Sequence, residues 1–399
     1  MKNTITPHGQ LRPLFSLALL LVFALALTPN LQAQITATSL INVGALNNVS
    51  SAGSTATGIN NSGQIVGFGN VAVFGSNHAY ISTGTVGVLT DLGTLAGGDV
   101  NSFATGINAS GQVVGYSQIS NLNNLNHAFV STSGTMTDLG ALAGNNNSFG
   151  TGINNSGQVT GYSNSSSIQA GQRAFIGTVN SSGVVTVGLT SIGVVGTGSG
   201  GNFSQATGIN ASGQIVGTSS FASSGEGGFV FTSGVMTAIP SSGGFSAREA
   251  NAINDSGQIV GQATNGVVNN AYLSTGGVMT IFGANNADAF GISASGQVVG
   301  SSGNHAFLVD NATFYDLNTL AASFLTGNNS TSGFSLLTTA NAINDFGQIV
   351  GAGTFNDGLG HSFQRGFELN VAAVPEPATC AMLLGFGALG MVAWRRRRD

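Results

Sequence analysis

GINNSGQIVG, at residues 58–67, is the first of seven close copies of one segment that recur along the middle of the chain. The others are GINASGQVVG (106–115), GINNSGQVTG (152–161), GINASGQIVG (208–217), AINDSGQIVG (252–261), GISASGQVVG (291–300) and AINDFGQIVG (342–351). Their starting points lie 39–56 residues apart. A repeat of about 40–50 residues is typical of propellers and solenoids.

The local chemistry of each copy predicts a β-hairpin. Asn60 can fold its side chain onto the backbone of the following turn, and Gly63 can adopt the positive φ that closes it. The flanking segments TATGI (55–59) and QIVGF (64–68) are rich in β-branched and apolar residues, which favours strands. Seven hairpins are therefore expected.

Two further motifs follow each hairpin and predict two further strands. The first is a short apolar segment: HAYI at 78, HAFV at 127, RAFI at 173, GFVF at 228, AYLS at 271, HAFL at 305 and RGFEL at 365. The second comprises VLTDLGTL (88–95), MTDLGAL (136–142), VTVGLTSI (185–192), VMTAIP (235–240), VMTIFG (278–283) and TFYDLNTL (313–320). A unit of four strands is the content of one propeller blade.

The ends of the repeat array indicate a closed ring. No segment of the second kind follows the last apolar segment, but LINVGAL at 40–46, before the first hairpin, matches MTDLGAL in position and character. Pairing of this N-terminal strand into the last blade would complete seven blades. An open array would instead need distinct capping repeats. We therefore predict an all-β, seven-bladed β-propeller over residues 34–373, with a β-solenoid of seven repeats as the alternative.

The N-terminus has the form of a secretory signal peptide. An apolar run of 14 residues, Leu14–Leu27, follows Lys2 and Arg12 and precedes a polar stretch. A run of this length is short for a membrane span and typical of a signal peptide. We expect residues 1–33 to direct export through the Sec machinery, with cleavage between Ala33 and Gln34.

The C-terminus predicts a membrane anchor. Val374, Pro375, Glu376 and Pro377 precede 17 uncharged residues, 378–394, and then the cluster Arg395, Arg396, Arg397 and Arg398. Seventeen residues are at the short limit for a transmembrane helix, and the arginines would remain in the cytoplasm. Residues 374–399 therefore form a separate segment, and the middle of the chain is expected outside the cytoplasm.

This tail resembles the PEP-CTERM sorting signal in its VPEP motif, its short Gly-rich apolar helix and its arginine cluster. The resemblance implies recognition and processing by an exosortase in a Gram-negative bacterium that makes exopolysaccharide and biofilm. The repeated GIN and HAF segments are similar to those of extracellular HAF-type repeat proteins. That second resemblance describes repeats and location, and it implies no catalytic residues.

The charge of the predicted propeller excludes several classes of function. Residues 34–373 hold three arginines against twelve aspartates and glutamates, a formal net charge of −9. Such a domain does not favour nucleic acids or other polyanions. The single cysteine, Cys380, lies in the tail, so the propeller has no disulfide and no thiol chemistry.

Few side chains are candidates for a site. His78, His127 and His305 share one position with Arg173, Asn270 and Arg365 in other repeats, which indicates a polar contact at a strand end rather than a metal ring. Asp255 and Asp345 are the acids among the seven hairpin turns, with Arg248 and Glu249 one strand away. If Asp255 and Asp345 face one mouth of the channel, these two carboxylates could bind Ca²⁺ or act as acid and base. The alternative is that aspartate is simply a favoured turn residue.

Three functions fit these observations. The first is a non-enzymatic, cofactor-free surface or extracellular-matrix protein whose propeller binds carbohydrate or another protein. The second is an extracellular propeller hydrolase or lyase that uses Asp255 and Asp345. The third is a self-assembling structural protein of a surface layer. The uniform repeats and the few reactive side chains favour the first.

Overall fold

A computed structural model describes residues 34–374, apart from 47–51, 73–74, 83–86, 121–123, 166–170, 196–202, 222–224, 284–285 and 329. Contacts divide the chain into a unit of residues 37–371 and a unit made of the two chain ends, of which only 34–36 and 372–374 are described. The predicted signal peptide and residues 375–399, with the predicted transmembrane helix, lie outside the described residues. Within the described ones, no helix is long and apolar enough to cross a membrane.

The described residues form seven four-stranded antiparallel sheets, which confirms the seven-bladed propeller. The strands of blades 1–3 are β2 (Ser54–Ile59), β3 (Ile65–Asn70), β4 (Asn77–Ser82) and β5 (Leu89–Gly93); β6 (Ser102–Ile107), β7 (Val113–Gln118), β8 (Asn126–Thr132) and β9 (Thr135–Asp138); and β10 (Asn147–Ile153), β11 (Gln158–Asn164), β12 (Arg173–Val179) and β13 (Val185–Gly193). In each of these blades, the strands are hydrogen-bonded in sequence order.

Blades 4–6 repeat this order. Their strands are β14 (Ser204–Ile209), β15 (Ile215–Phe221), β16 (Gly225–Thr232) and β17 (Val235–Ala238); β18 (Ser246–Ile253), β19 (Ile259–Thr264), β20 (Asn269–Thr275) and β21 (Val278–Phe282); and β22 (Ala287–Ile292), β23 (Val298–Ser302), β24 (His305–Asp310) and β25 (Thr313–Asp316). A short helix, α1 (Leu317–Leu320), follows β25. Asp316 caps it by accepting from the Asn318 backbone N–H.

Blade 7 combines both ends of the repeat array. It holds β26 (Ser332–Ile343), β27 (Gln348–Asp357) and β28 (Ser362–Val374), and its fourth strand is β1 (Gln34–Gly44). The N-terminal strand therefore closes the ring as predicted, and the solenoid alternative is wrong.

The hairpin turns form as their sequence predicts. Asn60 Oδ1 accepts from the backbone N–H groups of Ser62 and Gln64, each at 3.0 Å, and Gly63 has φ +74°. Gly67, at the end of the same segment, has no room for a side chain. A Cβ atom there would lie 1.9 Å from the carbonyl oxygen of Thr55, so the two strands approach closely only because residue 67 is glycine.

The core lies between neighbouring blades. One buried cluster joins Val66, Ala79 and Leu92 of blade 1 to Val113 and Phe129 of blade 2. Each blade is thus covered on its faces by its neighbours, which explains why the strands are apolar and charges are rare.

A serine at the start of each of several first strands fastens one blade to the preceding one. Ser102 Oγ accepts from the Ala79 N–H at 2.9 Å and donates to the Gly93 carbonyl at 2.5 Å. At the ring closure, Ser54 Oγ accepts from the Gly366 N–H at 3.2 Å and donates to the Gly44 carbonyl at 2.6 Å. The same junction is therefore built from the two ends of the array.

Candidate functional site

The first strands of all seven blades line a central channel. The lining consists of one three-residue segment from each of them, such as Thr57-Gly58-Ile59 in blade 1. Because each first strand ends in its hairpin turn, the seven turns gather at one mouth of the channel, which we call the turn rim. The beginnings of the strands surround the opposite end.

Asparagines join the turns at the rim. In six turns, Asn Nδ2 donates to the backbone carbonyl of the same position in the next blade, over 3.0–3.2 Å. The donors are Asn60, Asn108, Asn154, Asn210, Asn254 and Asn344. Ser293 occupies the seventh position. Each of these asparagines is buried, so the rim is a structural ring.

The predicted candidates Asp255 and Asp345 lie at this rim, in blades 5 and 7. Asp255 Oδ1 accepts from the Ala211 N–H at 2.8 Å, and Asp345 Oδ1 accepts from the Ala294 N–H at 2.8 Å. In blade 3 the amide of Asn155 makes the same contact, to Ala109 N–H at 2.8 Å. In these three blades the side chain acts as a hydrogen-bond acceptor, and a neutral amide serves as well as a carboxylate. No group of three potential metal ligands occurs among the described residues, and a Ca²⁺ or acid–base role for the two aspartates stays a prediction.

The histidines of the HAF segments pair with the aspartates of the DLG segments. Nδ1 of His78, of His127 and of His305 lies 2.8–2.9 Å from the carboxylate of Asp91, Asp138 and Asp316, respectively. Burial raises the pKa of Asp316, but hydrogen bonds from His305 and Asn318 outweigh it and hold the pKa below its usual value. These are the polar strand-end contacts that the sequence predicts. At the same position, Asn270 donates to the Gly283 carbonyl and Arg365 to the Ala52 carbonyl.

A second ring of side chains surrounds the end opposite the turn rim, and we call it the belt. It consists of one residue near the start of each first strand and the residue paired with it on the second strand. The pairs are Thr55 and Phe68, Phe103 and Tyr116, Phe149 and Tyr162, Gln205 and Thr218, Glu249 and Gln262, Asp288 and Ser301, and Thr339 and Ala352. All except the buried Ala352 are partly exposed.

The belt is aromatic in blades 1–3. Five rings follow one another from Phe68 through Phe103, Tyr116 and Phe149 to Tyr162, with centroids 4.8–5.0 Å apart. Edge-to-face contacts between blades alternate with stacked contacts within blades. The result is a continuous, partly exposed aromatic strip across three blades.

The two tyrosines of the strip keep their hydroxyl groups neutral. Burial raises the pKa of Tyr116, and burial together with the neighbouring Tyr116 raises the pKa of Tyr162 to about 12. Each phenol therefore offers both a donor and an acceptor beside an apolar ring face.

The belt is polar and acidic in blades 4–6. Arg248 lies beside it, with Nε 3.7 Å from Glu249 Oε1 and Nη1 donating to Gln262 Oε1 at 3.3 Å. Asn251 Nδ2 donates to Asp288 Oδ1 at 2.8 Å. Burial, and next the charge of Glu249, raises the pKa of Asp288 to about 7. Asp288 therefore changes its protonation state near neutral pH.

A buried phenol lies close to this acidic group. Tyr272 is fully buried, and its hydroxyl has no hydrogen-bond partner within the described structure. The equivalent Tyr80 in blade 1 donates to the Thr55 carbonyl at 3.0 Å. Burial and the nearby Asp288 raise the pKa of Tyr272. A neutral, unpartnered hydroxyl thus lies beside the acidic part of the belt.

The repeats do not predict the belt as a whole, because the residues at its positions differ from blade to blade. The sequence predicts the candidate acids Asp255 and Asp345 at the turn rim, whereas Glu249 and Asp288 lie around the opposite end. The signal that could have found its aromatic part is an aromatic residue three positions before Gly106 and Gly152, in Phe103 and Phe149. It is matched by Tyr116 and Tyr162, each directly after the last glycine of a repeat.

A separate pocket of about 340 Å³ opens where blade 7 meets blade 1, with Asn61, Gln348 and Glu368 in its lining. Glu368 Oε1 accepts from Gln348 Nε2 at 2.8 Å and from Asn370 Nδ2 at 3.2 Å. Both contacts lie within blade 7, and the one from Gln348 joins β27 to β28.

Comparison with known proteins identifies the tail. Residues 373–398 match the PEP-CTERM protein-sorting motif, and no curated protein matches the chain. A solved gluconolactonase from Xanthomonas campestris is similar in structure at 9% sequence identity and a TM-score of 0.39, over 86% of this chain and 98% of that one. A likeness at this level says nothing of activity. The sorting motif is the recognition signal of an exosortase and marks an exported protein.

Proposed function

We propose that this protein is a non-enzymatic propeller of the cell surface or extracellular matrix that binds carbohydrate at its belt. The observation that carries the proposal is the aromatic strip from Phe68 to Tyr162. Five partly exposed rings in contact are costly to leave in water, and an exposed apolar patch of this kind marks a binding surface.

The chemistry of the strip suits sugars. One face of a pyranose ring carries C–H groups and can stack on an aromatic ring, while its hydroxyls need donors and acceptors at the edge. The phenols of Tyr116 and Tyr162 and the amide of Gln205 provide such groups beside the rings. Because the strip crosses three blades, it fits an extended saccharide chain better than a single sugar.

The segments at the chain ends fit the same setting. In this proposal, residues 1–33 are removed after Sec-dependent export and leave Gln34 as the first residue. Residues 374–399 hold the protein in the inner membrane until an exosortase acts near Pro375 and Pro377. The HAF-type propeller of residues 34–373 then reaches the surface of a Gram-negative cell, where a biofilm polysaccharide would be its ligand.

An extracellular hydrolase or lyase is the second candidate, and one observation favours it. Asp288, with its pKa of about 7, has the proton affinity of a general acid, and Glu249 is close enough to raise that pKa. In that case the catalytic acids would lie at the belt and not at Asp255 and Asp345.

A glycan array with the purified full-length chain in mild detergent tests the proposal. Phe103→Ala and Tyr116→Ala should each weaken binding at least tenfold. The matched control is Phe314→Ala, which removes an exposed ring that contacts Phe307 in blade 6, outside the belt. Thermal unfolding shows whether each variant folds.

Each alternative outcome has a distinct result. Equal binding by the belt variants and the control, or binding of no saccharide, contradicts the proposal. Release of shortened or unsaturated sugars during incubation identifies an enzyme instead. Concentration-dependent polymers in light scattering, without saccharide binding, identify a self-assembling layer protein.

A further inference from the structure

Resting on the carbohydrate function above, we propose that the belt selects polysaccharides with free amino groups. The aromatic strip of blades 1–3 would hold the sugar rings, and Glu249 and Asp288 in blades 5 and 6 would bind a protonated amine of the same chain. The ligand class is a hexosamine polymer that is at least partly free of N-acetyl groups.

The distribution of charge on the belt favours a positively charged ligand. The two charged residues among the belt positions, Glu249 and Asp288, are both acidic. The propeller as a whole has a formal net charge of −9, from three arginines and twelve acids. The nearby Arg248 is engaged by Glu249 and by Gln262. A polymer of uronic acids would meet repulsion at this part of the belt, whereas a cationic group would be attracted.

The charge of Arg248 only partly offsets the unfavourable electrostatics of the acidic part of the belt. Asp288 is partly buried, and burial raises its pKa first, followed by the like charge of Glu249. Removing a carboxylate from water beside a second carboxylate is unfavourable, and an ammonium group between them relieves both costs. An amine also brings three N–H donors, for which two carboxylates are good acceptors.

The buried hydroxyl of Tyr272 is independent support for a ligand here. It lies beside Asp288, is fully buried and has no partner among the described groups, although the equivalent Tyr80 hydroxyl is satisfied by a backbone carbonyl. Buried hydroxyls are usually hydrogen-bonded. A bound polar group, or a water molecule held by it, would supply the missing partner.

Binding of an ammonium group should be coupled to a proton. The charged and titratable groups that act on Asp288 are Glu249, Arg248 and the phenol of Tyr272. A cation favours the ionised carboxylate, so binding below about pH 7 must release a proton from Asp288. Affinity for the amine should therefore rise from about pH 5 towards about pH 6, and fall again near neutral pH as the sugar amine loses its own proton.

Titration calorimetry on the full-length chain tests this with two probes of one backbone, a β-1,4-linked glucosamine oligosaccharide and its fully N-acetylated form. We expect at least tenfold tighter binding of the free amine. Glu249→Gln and Asp288→Asn should each remove most of that preference without changing the affinity for the acetylated form. Asp255→Asn is the matched control, because an amide makes the same turn contact at the equivalent Asn155.

A second readout does not depend on the variants. Comparing binding enthalpies in two buffers of different ionisation enthalpy should show proton release by the wild-type chain near pH 6, and none for the acetylated probe. Equal affinity for the two probes, or tighter binding of a uronic-acid polymer, overturns the amine selectivity but leaves carbohydrate binding intact. Binding of no saccharide at all overturns both.

Discussion

The side chain of Asn344 donates a hydrogen bond from Nδ2 to the backbone carbonyl of Asn60 over 3.1 Å, across 284 residues of sequence. Asn344 Oδ1 accepts from the backbone N–H groups of Phe346 and Gln348 in its own turn. One carboxamide thus shapes a hairpin and ties the last blade to the first. The repeated GIN motif is therefore a device for closing a ring as well as for turning a strand.

Asn344→Asp should destabilise the propeller by about 2–3 kcal/mol, because the carboxylate keeps the turn contacts but loses the donor to Asn60. It would also place a negative charge against two acceptor oxygens, since Nδ2 also donates to Gln348 Oε1 at 2.6 Å. Urea unfolding followed by circular dichroism measures the change.

The matched control is Asn180→Asp. Asn180 Oδ1 shapes its own hairpin turn by accepting from the N–H groups of Ser182 and Val184, and no cross-blade bond of its amide is among those described. This variant should change the free energy of unfolding by less than about 0.5 kcal/mol. Equal losses in the two variants would mean that the link to Asn60 contributes nothing.

Two rings of hydrogen bonds link the first strands of neighbouring blades, and in the described structure both lack a bond between blades 6 and 7. One is the ring of turn asparagines, and the other lies three residues earlier in each first strand. In six blades, the residue three before the turn asparagine donates from its side chain to a carbonyl of the next first strand, as Thr57 does to Ala104 at 2.8 Å. Phe290 takes this position in blade 6, where Ser293 also replaces the turn asparagine. Farther out, Asn318 bridges the same blades through two hydrogen bonds with the Leu337 backbone.

Ser293→Asn should therefore stabilise the propeller by about 1 kcal/mol, the net value of one further hydrogen bond. The new carboxamide would donate to the carbonyl of Asn344 and replace the turn contact that Ser293 Oγ now makes with the Gln297 N–H at 3.1 Å. A higher urea midpoint with an unchanged slope is the expected result. An unchanged or lower midpoint would show that blade 6 cannot accept the ring geometry.

Much of this architecture was predictable from local chemistry. The turns, the strand count and the closing strand all follow from residues that repeat, and Asn42 and Gly44 of LINVGAL reproduce the contact of Asp91 with Gly93, as the Gly44 N–H donates to Asn42 Oδ1 at 3.0 Å. The belt was not predictable in this way. Its composition follows from pairings such as Phe103 with Tyr116 and from the order of blades around the ring, which no single repeat encodes.

The roles of Asp255 and Asp345 show the same limit. Their acidity was visible in the sequence, but their partners, the N–H groups of Ala211 and Ala294, belong to neighbouring turns 44 and 51 residues away. Only the ring brings these atoms together.

Removal of residues 37–44 should abolish cooperative unfolding of the whole propeller. It takes away the fourth strand of blade 7 and leaves the edge of β28 unpaired, and Ser54 loses the Gly44 carbonyl. Differential scanning calorimetry of the shortened chain measures the loss. A peptide of residues 37–46 added in trans should restore a single transition. Normal melting of the shortened chain would mean that the ring is stable without closure.

The stability of the propeller should fall as pH rises through about 7, because of Asp288. Its pKa is about 7 in the folded protein, against 3.8 for an ordinary aspartate, and burial is the main cause. The folded state therefore binds more protons than the unfolded state between these values. The contribution of Asp288 is full below about pH 4 and is lost as pH rises through 7. Asp316, whose pKa is lowered, contributes stability that is lost only as pH falls below the usual pKa of an aspartate. The pH ranges in which Asp288 and Asp316 affect stability are therefore separate.

Asp288→Asn isolates this contribution, because an amide keeps an oxygen for the hydrogen bond from Asn251 and carries no charge at any pH. Urea midpoints measured at about pH 5 and about pH 8 should differ less in this variant than in the wild-type chain, because the gain in the variant is larger at the higher pH. Asp255→Asn, at the turn rim, should leave the pH dependence as it is. Parallel curves for the wild type and Asp288→Asn would place the ionisation of Asp288 near that of an ordinary aspartate and remove the proton coupling from the acidic part of the belt.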